Sequence, residues 1–362
     1  MINQYYATFI PGLQCFIAEK IKERLTDAKI IKLLDGAALF ETETDYCNLN
    51  FFCFNNIFAV INLYDHSYKK KNQAEIQNRG ENGIYCLEKH INSIINENGS
   101  YRENIIINNS AKFHTFRIVI SNENIPASIN GNLRTQAEKI IMRLSGLKID
   151  RALPDTEFWF LFRKEDRQAG NDFSIFMKRL TLRQSWEKTL HKGELPPPLA
   201  WTLCSLAGLK HSDSLLDPFC GYGSIPAAAM KYFHITNMTA CENESSAADY
   251  TAKKFKGKKG FVLKKGDFFE LLKNEDGFAK SYFDAVVTDP PWGHFKNIKD
   301  EDFYVKMFDA FEKLLKNEGK AVVLCANTID LKKAVPASFV MQINMTVLLS
   351  GRKTVIYVFN KT

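Results

Sequence analysis

One hexapeptide in this 362-residue chain has the residue types to hold a reacting nitrogen: Thr288-Asp289-Pro290-Pro291-Trp292-Gly293, placed directly after the apolar run Phe283-Asp284-Ala285-Val286-Val287. An exocyclic amino group on guanine, adenine or cytosine is a poor nucleophile, because its lone pair is delocalised into the ring. Hydrogen bonds from such an NH2 to the Asp289 carboxylate and the Pro290 carbonyl would hold it still and favour a more pyramidal nitrogen. Pro290 and Pro291 stiffen the backbone, so those acceptors are set before a base arrives. Trp292 offers a face on which an extruded base can stack, an interaction worth roughly 1–3 kcal/mol. Asp289, Pro290, Pro291 and Trp292 are therefore the candidate catalytic residues. The bland alternative, a proline-rich loop around a buried Trp, fits poorly with a position at the end of a strand and after three other ligand-like sites.

The first of those sites is Leu215-Leu216-Asp217-Pro218-Phe219-Cys220-Gly221-Tyr222-Gly223-Ser224, an apolar strand that ends in an acid and a glycine turn. Gly221 and Gly223 let the backbone approach a ligand closely. A dinucleotide fingerprint would need a third glycine at position 226, which is Pro226 here, so that reading is disfavoured. The second is Ala240-Cys241-Glu242-Asn243, where Glu242 falls 25 residues after Asp217. In a doubly wound sheet that carboxylate faces the nucleoside and can accept from both ribose hydroxyls. The third is Lys265-Gly266-Asp267-Phe268.

The combination around Asp217 resembles motif I of the Rossmann-fold methyltransferases that use S-adenosylmethionine. The resemblance implies that Asp217, Pro218, Phe219, Cys220, Gly221, Gly223 and Ser224 lie against the methionine part of that cofactor, with Asp289 also within its reach. It implies further that Asp267 accepts from the adenine amino group and that Phe268 walls the ring; capping of the following helix is the other reading of Asp267. Upstream, Gly193-Glu194-Leu195-Pro196-Pro197-Pro198-Leu199-Ala200 introduces a helix. A similar L-x-P-x-x-A segment lines the cofactor site in the resembling group, which puts Leu195 and Pro196 there; from the residues alone it is equally a hinge. Alignment of nitrogen and sulfonium methyl can supply roughly 7–11 kcal/mol of a barrier. No general base with a shifted pKa is required, since the proton can leave after methyl transfer.

The elements that must position these residues follow from periodicity. From about residue 191 apolar strands alternate with helices: 214–216, a helix from 225, 238–241, a helix to 255, 261–264, 283–287, a helix over 303–315, and 320–324. That rhythm predicts a mostly parallel, doubly wound sheet. It closes with 341–349 and 354–359 flanking Ser350-Gly351-Arg352-Lys353, which predicts an antiparallel hairpin. Before residue 191, strands are expected over 5–10, from Gly36 to Glu41, over 114–121 and over 158–162, with helices over 13–25 and 132–146. Residues 50–63 are apolar and expected to be buried. Lys69-Lys70-Lys71 and the Asn-rich stretch 92–109 read as solvated helix ends and loop. The charged, Gly-containing stretch 163–172 reads as linker.

Composition adds little against this. Apolar residues make up 45% and charged residues 25% of the chain, ordinary for a globular protein. Eight scattered cysteines form no C-x-x-C pair and read as reduced, mostly buried thiols, with neither disulfides nor a structural metal expected. No run is long enough to span a membrane and the N-terminus has no secretory pattern, so the expected location is the cytoplasm. The net charge of +7 is uneven: −2 over residues 1–62, +5 over 63–190 and +4 over 191–362. Such an excess fits a polyanionic partner.

With these motifs the chain resembles the THUMP-containing RNA guanine-N2 methyltransferases over nearly its whole length. Tyr6-Ala7-Thr8-Phe9-Ile10-Pro11-Gly12-Leu13 is similar to that group's ferredoxin-like opening. Thr115-Phe116-Arg117-Ile118 and Leu153-Pro154-Asp155-Thr156-Glu157-Phe158 are similar to its THUMP core. The implied organisation is a ferredoxin-like domain over 1–64, a THUMP RNA-binding domain over 65–168, a linker over 169–190, and a Rossmann-fold methyltransferase over 191–362 with a seven-stranded sheet. The implied activity is methylation of a guanine N2 in structured RNA, tRNA first and large-subunit ribosomal RNA second, by a monomer without metal. Arg117, Arg134 and Lys139 are the candidate RNA contacts. Tyr222 and Ser224 stand where the group usually has a small residue and Thr, Ala228 where Glu is common, and Trp292 where Tyr or Phe is commoner. DNA amino-methyltransferases share the motifs, but in one large class in the reverse order. Methylation of a protein glutamine and an RNA-binding protein without catalysis are the further alternatives.

Overall fold

Alternating apolar residues in the first half of the chain build one nine-stranded sheet, and the βαβ rhythm of the second half builds a seven-stranded one. The computed structural model describes residues 2–49, 51–66, 82–97, 101, 105, 113–164, 172–181, 190–274, 278–292 and 302–362. It divides into two units: residues 1–9 with 14–184, and residues 10–13 with 185–362. No helix among the described residues is long and apolar enough to cross a membrane.

The first unit comprises β1 (Asn3–Thr8), α1 (Gln14–Arg24), β2 (Lys29–Leu34), β3 (Ala37–Thr42), β4 (Asn56–Asp65), α2 (Asn82–Asn96), β5 (Thr115–Asn122), β6 (Ile125–Pro126), α3 (Gly131–Ser145), β7 (Lys148–Ile149), β8 (Thr156–Arg163) and β9 (Phe173–Arg179). The strand order is β2-β3-β1-β4-β9-β8-β5-β6, with β7 beside β5. Period-two alternation puts Phe116, Ile118 and Ile120 of β5, and Phe158, Phe160 and Phe162 of β8, on one face. There they pack against Leu87 and Ile91 of α2 and Leu133 and Ile141 of α3. Tyr6, Leu39, Phe58, Leu161 and Met177, from β1, β3, β4, β8 and β9, form a second apolar cluster.

The expected linker over 169–190 needs correction. Within it β9 is a central strand, buried at every position, antiparallel to β4 on one side and to β8 on the other. Its sequence, FSIFMKR, ends in two cations and follows a charged stretch, which masked a strand buried on both faces. One sheet thus runs through the segments expected as a ferredoxin-like and a THUMP domain. The Asn-rich stretch contributes its first residues to α2, while Lys69-Lys70-Lys71 lies outside the described residues.

The second unit comprises α4 (Pro197–Ala207), β10 (Ser214–Asp217), α5 (Ser224–Tyr232), β11 (Asn237–Glu242), α6 (Ser245–Lys254), β12 (Phe261–Lys265), α7 (Phe268–Leu271), β13 (Phe283–Thr288), α8 (Asp302–Leu314), β14 (Leu315–Ala326), β15 (Phe339–Leu349) and β16 (Arg352–Lys361). The order β12-β11-β10-β13-β14-β16-β15 has five parallel strands, then β16 antiparallel to β14 and β15 antiparallel to β16. Ser350 and Gly351 are both left-handed, at φ +48° and +78°, the geometry a two-residue hairpin turn needs. This is the expected α/β architecture. The chain runs outward from β10 to β12 and returns to β13 beside β10, so the switch point lies between β10 and β13, where open α/β sheets bind ligands.

Candidate active site

β10 ends at that switch point in Asp217, which is 1% exposed. Its Oδ1 accepts from the Thr288 hydroxyl at 2.9 Å, across from β13, and from the Phe219 N–H at 3.3 Å. Its Oδ2 has no hydrogen-bond partner among the described residues. Burial pushes the carboxyl up to about 7, with the hydrogen bonds opposing and the Glu242 charge adding to it. Asp217 is thus an acid held in apolar surroundings with one oxygen still to be satisfied.

The glycine turn after it is fixed from several directions. The Cys220 N–H donates to Cys241 O at 2.9 Å, the Gly221 N–H to Glu242 Oε2 at 2.8 Å, and the Thr251 hydroxyl to Gly221 O at 2.9 Å. Gly223 has φ +75°, and a Cβ there would sit 2.8 Å from the Phe255 ring, so glycine is required by both conformation and space. Glu242 closes β11, and its Oε1 accepts from the Glu244 N–H at 2.7 Å. The two backbone donors orient that carboxylate and leave it acceptor sites for a ligand hydroxyl. The Cys220 thiol, pushed up by burial and neighbouring acids, stays neutral.

At the end of β12, Asp267 caps α7, accepting from the Phe269 and Glu270 N–H groups at 2.9 and 3.2 Å. The capping reading of Asp267 is realised, and the residue faces the cleft as well. Phe268 is buried, with its ring edge-on to Phe219 at 5.7 Å.

β13 delivers the hexapeptide. Asp289 is half-buried, but its Oδ1 is out of reach of solvent and without a hydrogen-bond partner among the described residues. Burial raises its carboxyl well above the ordinary range; the nearby Trp292 indole opposes this and Asp217 adds to it. Trp292 Nε1 likewise has no hydrogen-bond partner among the described residues, so that indole lies near Asp289 without a formed hydrogen bond to it. Pro290 is buried, and Pro291 O accepts from the Tyr304 hydroxyl at 3.3 Å. Gly293 lies outside the described residues. Methyl transfer to an amino nitrogen does not require a shifted acid, yet apolar walls raise this carboxyl at the motif.

A cleft of 570 Å³ brings these positions together, within the roughly 300–1,000 Å³ of small-molecule sites. Asp217, Pro218, Phe219, Cys220, Gly221, Ser224, Glu242, Asp267, Phe268, Asp289, Pro291 and Leu195 line it; Gly223, Pro196, Pro290 and Trp292 do not. Sequence reasoning missed Lys192, Glu194, Tyr222, Asn243 and Phe303, which also line it. Adjacency to known motifs was the only available signal for the first four. Phe303 comes from α8 and meets Phe219 at 5.6 Å, a contact with no local signature.

The candidate RNA contacts fare differently. Arg117 is paired with Glu157 of β8, which also binds Arg179 at 3.1 Å. Arg134 donates to Ile118 O at 2.9 Å and to Glu138 at 3.3 Å. Both guanidinium groups are thus committed within the first unit, and Lys139 alone of the three is exposed on α3.

Comparison with known proteins agrees with this geometry. Residues 184–255 and 248–354 match the UPF0020 family (RMKL-like, methyltransferase domain). A tRNA (guanine(10)-N2)-dimethyltransferase of Methanothermobacter thermautotrophicus is 26% identical over 216 residues, 55% of this chain and 59% of that protein, so the matched stretch spans under two thirds of the relative. One of the same name from Methanocaldococcus jannaschii is 25% identical over 270 residues, 70% of this chain and 74% of that protein. TrmN from Thermus thermophilus has the same fold over 100% of both chains, with TM-score 0.73 and 18% identity. SMU.472, solved with SAH, covers 100% of this chain and 98% of its own at TM-score 0.62 and 11% identity. The glycine turn, the acid-terminated strands and the Asp-Pro-Pro-Trp loop all lie within the stretch, residues 184–354, that is similar to the RMKL-like methyltransferase domain.

Proposed function

We propose that the chain transfers a methyl group from S-adenosylmethionine to the exocyclic N2 amino group of a guanine in tRNA, in the cytoplasm. The observation that carries this is the Asp289 Oδ1 at the switch point, buried and without a hydrogen-bond partner among the described residues, in one cleft with Glu242 and the glycine turn. A buried acceptor without a donor is rare unless a ligand provides one. The residues present fit the cofactor: Glu242 for the ribose, Asp267 and Phe268 for the adenine, and residues 218–224 for the methionine end. When bound, the cofactor supplies an electrophilic methyl carbon next to a sulfonium.

Asp289 and the Pro290 carbonyl hold the guanine amino group so that its lone pair points at that carbon. Once the nitrogen had taken the methyl group, it would carry a proton that has to pass to an acceptor beside it. Asp289 is suited to take that proton, because burial keeps its carboxyl a better proton acceptor than an exposed aspartate. The choice of tRNA and of guanine N2 is supported by the names of the two curated relatives. The test is incubation with methyl-labelled S-adenosylmethionine and tRNA, ribosomal RNA or duplex DNA, followed by nucleoside mass spectrometry. N2-methylated guanosine from tRNA is expected; label confined to adenine, or to DNA, would overturn the reading.

A further inference from the structure

The cleft is lined in part by Glu242 and Asp267, and in part by Ser224 and residues 192–195. A carboxylate stands there that no motif accounts for. Glu194 lines the cleft with its side chain 9% exposed. Among the described residues its Oε1 receives two long contacts, from Ser224 Oγ and Lys254 Nζ, both at 3.4 Å. Its Oε2 accepts from the His191 N–H at 3.1 Å. A carboxylate has about four acceptor sites, so Glu194 keeps capacity for a donor arriving through the cleft.

The side chain is held in place by its surroundings. The Glu194 N–H donates back to His191 O at 3.0 Å, closing residues 191–194 into a tight turn. The His191 ring stacks on Tyr222 with centroids 4.1 Å apart and planes 8° from parallel, and Tyr250 meets both rings edge-on. Lys254 Nζ donates to Tyr222 O at 2.9 Å as well as to Glu194. The turn carrying Glu194 is thereby clamped to the glycine turn by a ring stack and a bridging lysine.

We propose that Glu194 accepts the α-ammonium group of the cofactor's methionine end, and that Tyr222 and His191 are positioning residues that keep it aimed there. This rests on the S-adenosylmethionine reading above. The amino-acid tail of that cofactor is a zwitterion, and this part of the cleft offers both signs: the Glu194 carboxylate, and Lys192 with Lys254 beside it for the carboxylate of the tail. A charge-assisted hydrogen bond in a largely desolvated position is among the stronger polar contacts a site can make.

The test compares two ligands by calorimetry on the full chain: S-adenosylhomocysteine, which has the tail, and 5′-methylthioadenosine, which lacks it. Glu194→Gln is expected to weaken S-adenosylhomocysteine at least tenfold and to leave 5′-methylthioadenosine within twofold, the latter also reporting that the variant is folded. Tyr222→Ala should show the same selectivity with a smaller loss, and Tyr222→Phe should restore wild-type affinity. Equal weakening of both ligands, or of neither, overturns the role of Glu194. A wild-type chain that binds neither ligand removes the cofactor reading itself, and this proposal with it.

Discussion

The two units differ in which buried groups desolvation pushes towards neutrality: histidine and lysine in the first, where the buried Glu138 and Glu157 are paired with arginines, and aspartate in the second. In the first, bases are hidden: His66 and His90 are bridged by Ser174 Oγ at 2.8 Å on each side, and His90 Nε2 lies 2.7 Å from Asn62 Oδ1. Burial holds His66 at about 4 and His90 at about 3, with the Lys89 charge also depressing His66 and the His66 charge also depressing His90. Lys178, fully buried on β9, is lowered to about 8 by the same desolvation. In the second unit acids are hidden, Asp217 at about 7 and Asp289 higher than usual. The histidines use their ring nitrogens within the unit, as structural groups do. The acids each keep an oxygen without a partner among the described residues, a penalty that persists where a ligand supplies the missing donor.

That contrast predicts opposite responses to acid. A histidine depressed on folding contributes stability that is present above its unfolded value near 6.5 and is lost as pH falls towards its folded value. Each histidine should therefore take roughly 3 kcal/mol from the first unit between pH 7 and pH 4. Asp217 runs the other way: its folded value is raised, so its penalty is absent below about 3.8 and grows as pH rises towards 7, a change of about 4 kcal/mol. Hydrogen-exchange protection, corrected for intrinsic rates, should fall in β8 and β9 and rise in β13 on going from pH 7 to pH 4.5 without ligand. Movement of both units in the same direction would break the comparison.

Asp289→Asn keeps the shape but removes the charge and the proton acceptor. It should lower turnover about 10²–10³-fold while cofactor affinity, measured by calorimetry, stays within about threefold. An unchanged rate would leave Asp289 no chemical role. Thr288→Val removes the 2.9 Å donor to Asp217 and should cost about 1–3 kcal/mol. The loss should be larger at pH 8, where Asp217 is ionised, than at pH 5; equal losses in melts at both values would uncouple Thr288 from that charge. The smallest effect belongs to the first unit. Asn130 caps α3 by accepting from the Asn132 and Leu133 N–H groups at 2.9 and 3.4 Å. Asn130→Ala should cost about 1 kcal/mol in thermal denaturation and leave cofactor affinity unaltered.

Legibility followed the range of the interactions involved. The βαβ order of the second unit, the Ser350-Gly351 hairpin and the acid-terminated strands carrying Asp217 and Glu242 were readable because period, turn chemistry and strand ends are written in contiguous residues. β9 was not, because a strand buried on both faces carries no alternation, and two cations at its end resemble a linker. Arg117 looked free as a sequence position; only the parallel register of β5 with β8 puts Glu157 opposite it, 40 residues away.

The same division runs through the cleft. Sequence by itself determined that an amino nitrogen could be held at Asp289, since the residue types and their order suffice for that. Only the tertiary structure decided that this carboxyl is desolvated, that Phe303 reaches across to Phe219, and that Glu194 is clamped in the same cleft through Tyr222 and Lys254. Desolvation and long-range packing depend on what surrounds a residue in space, and that depends on pairings between segments the chain keeps far apart.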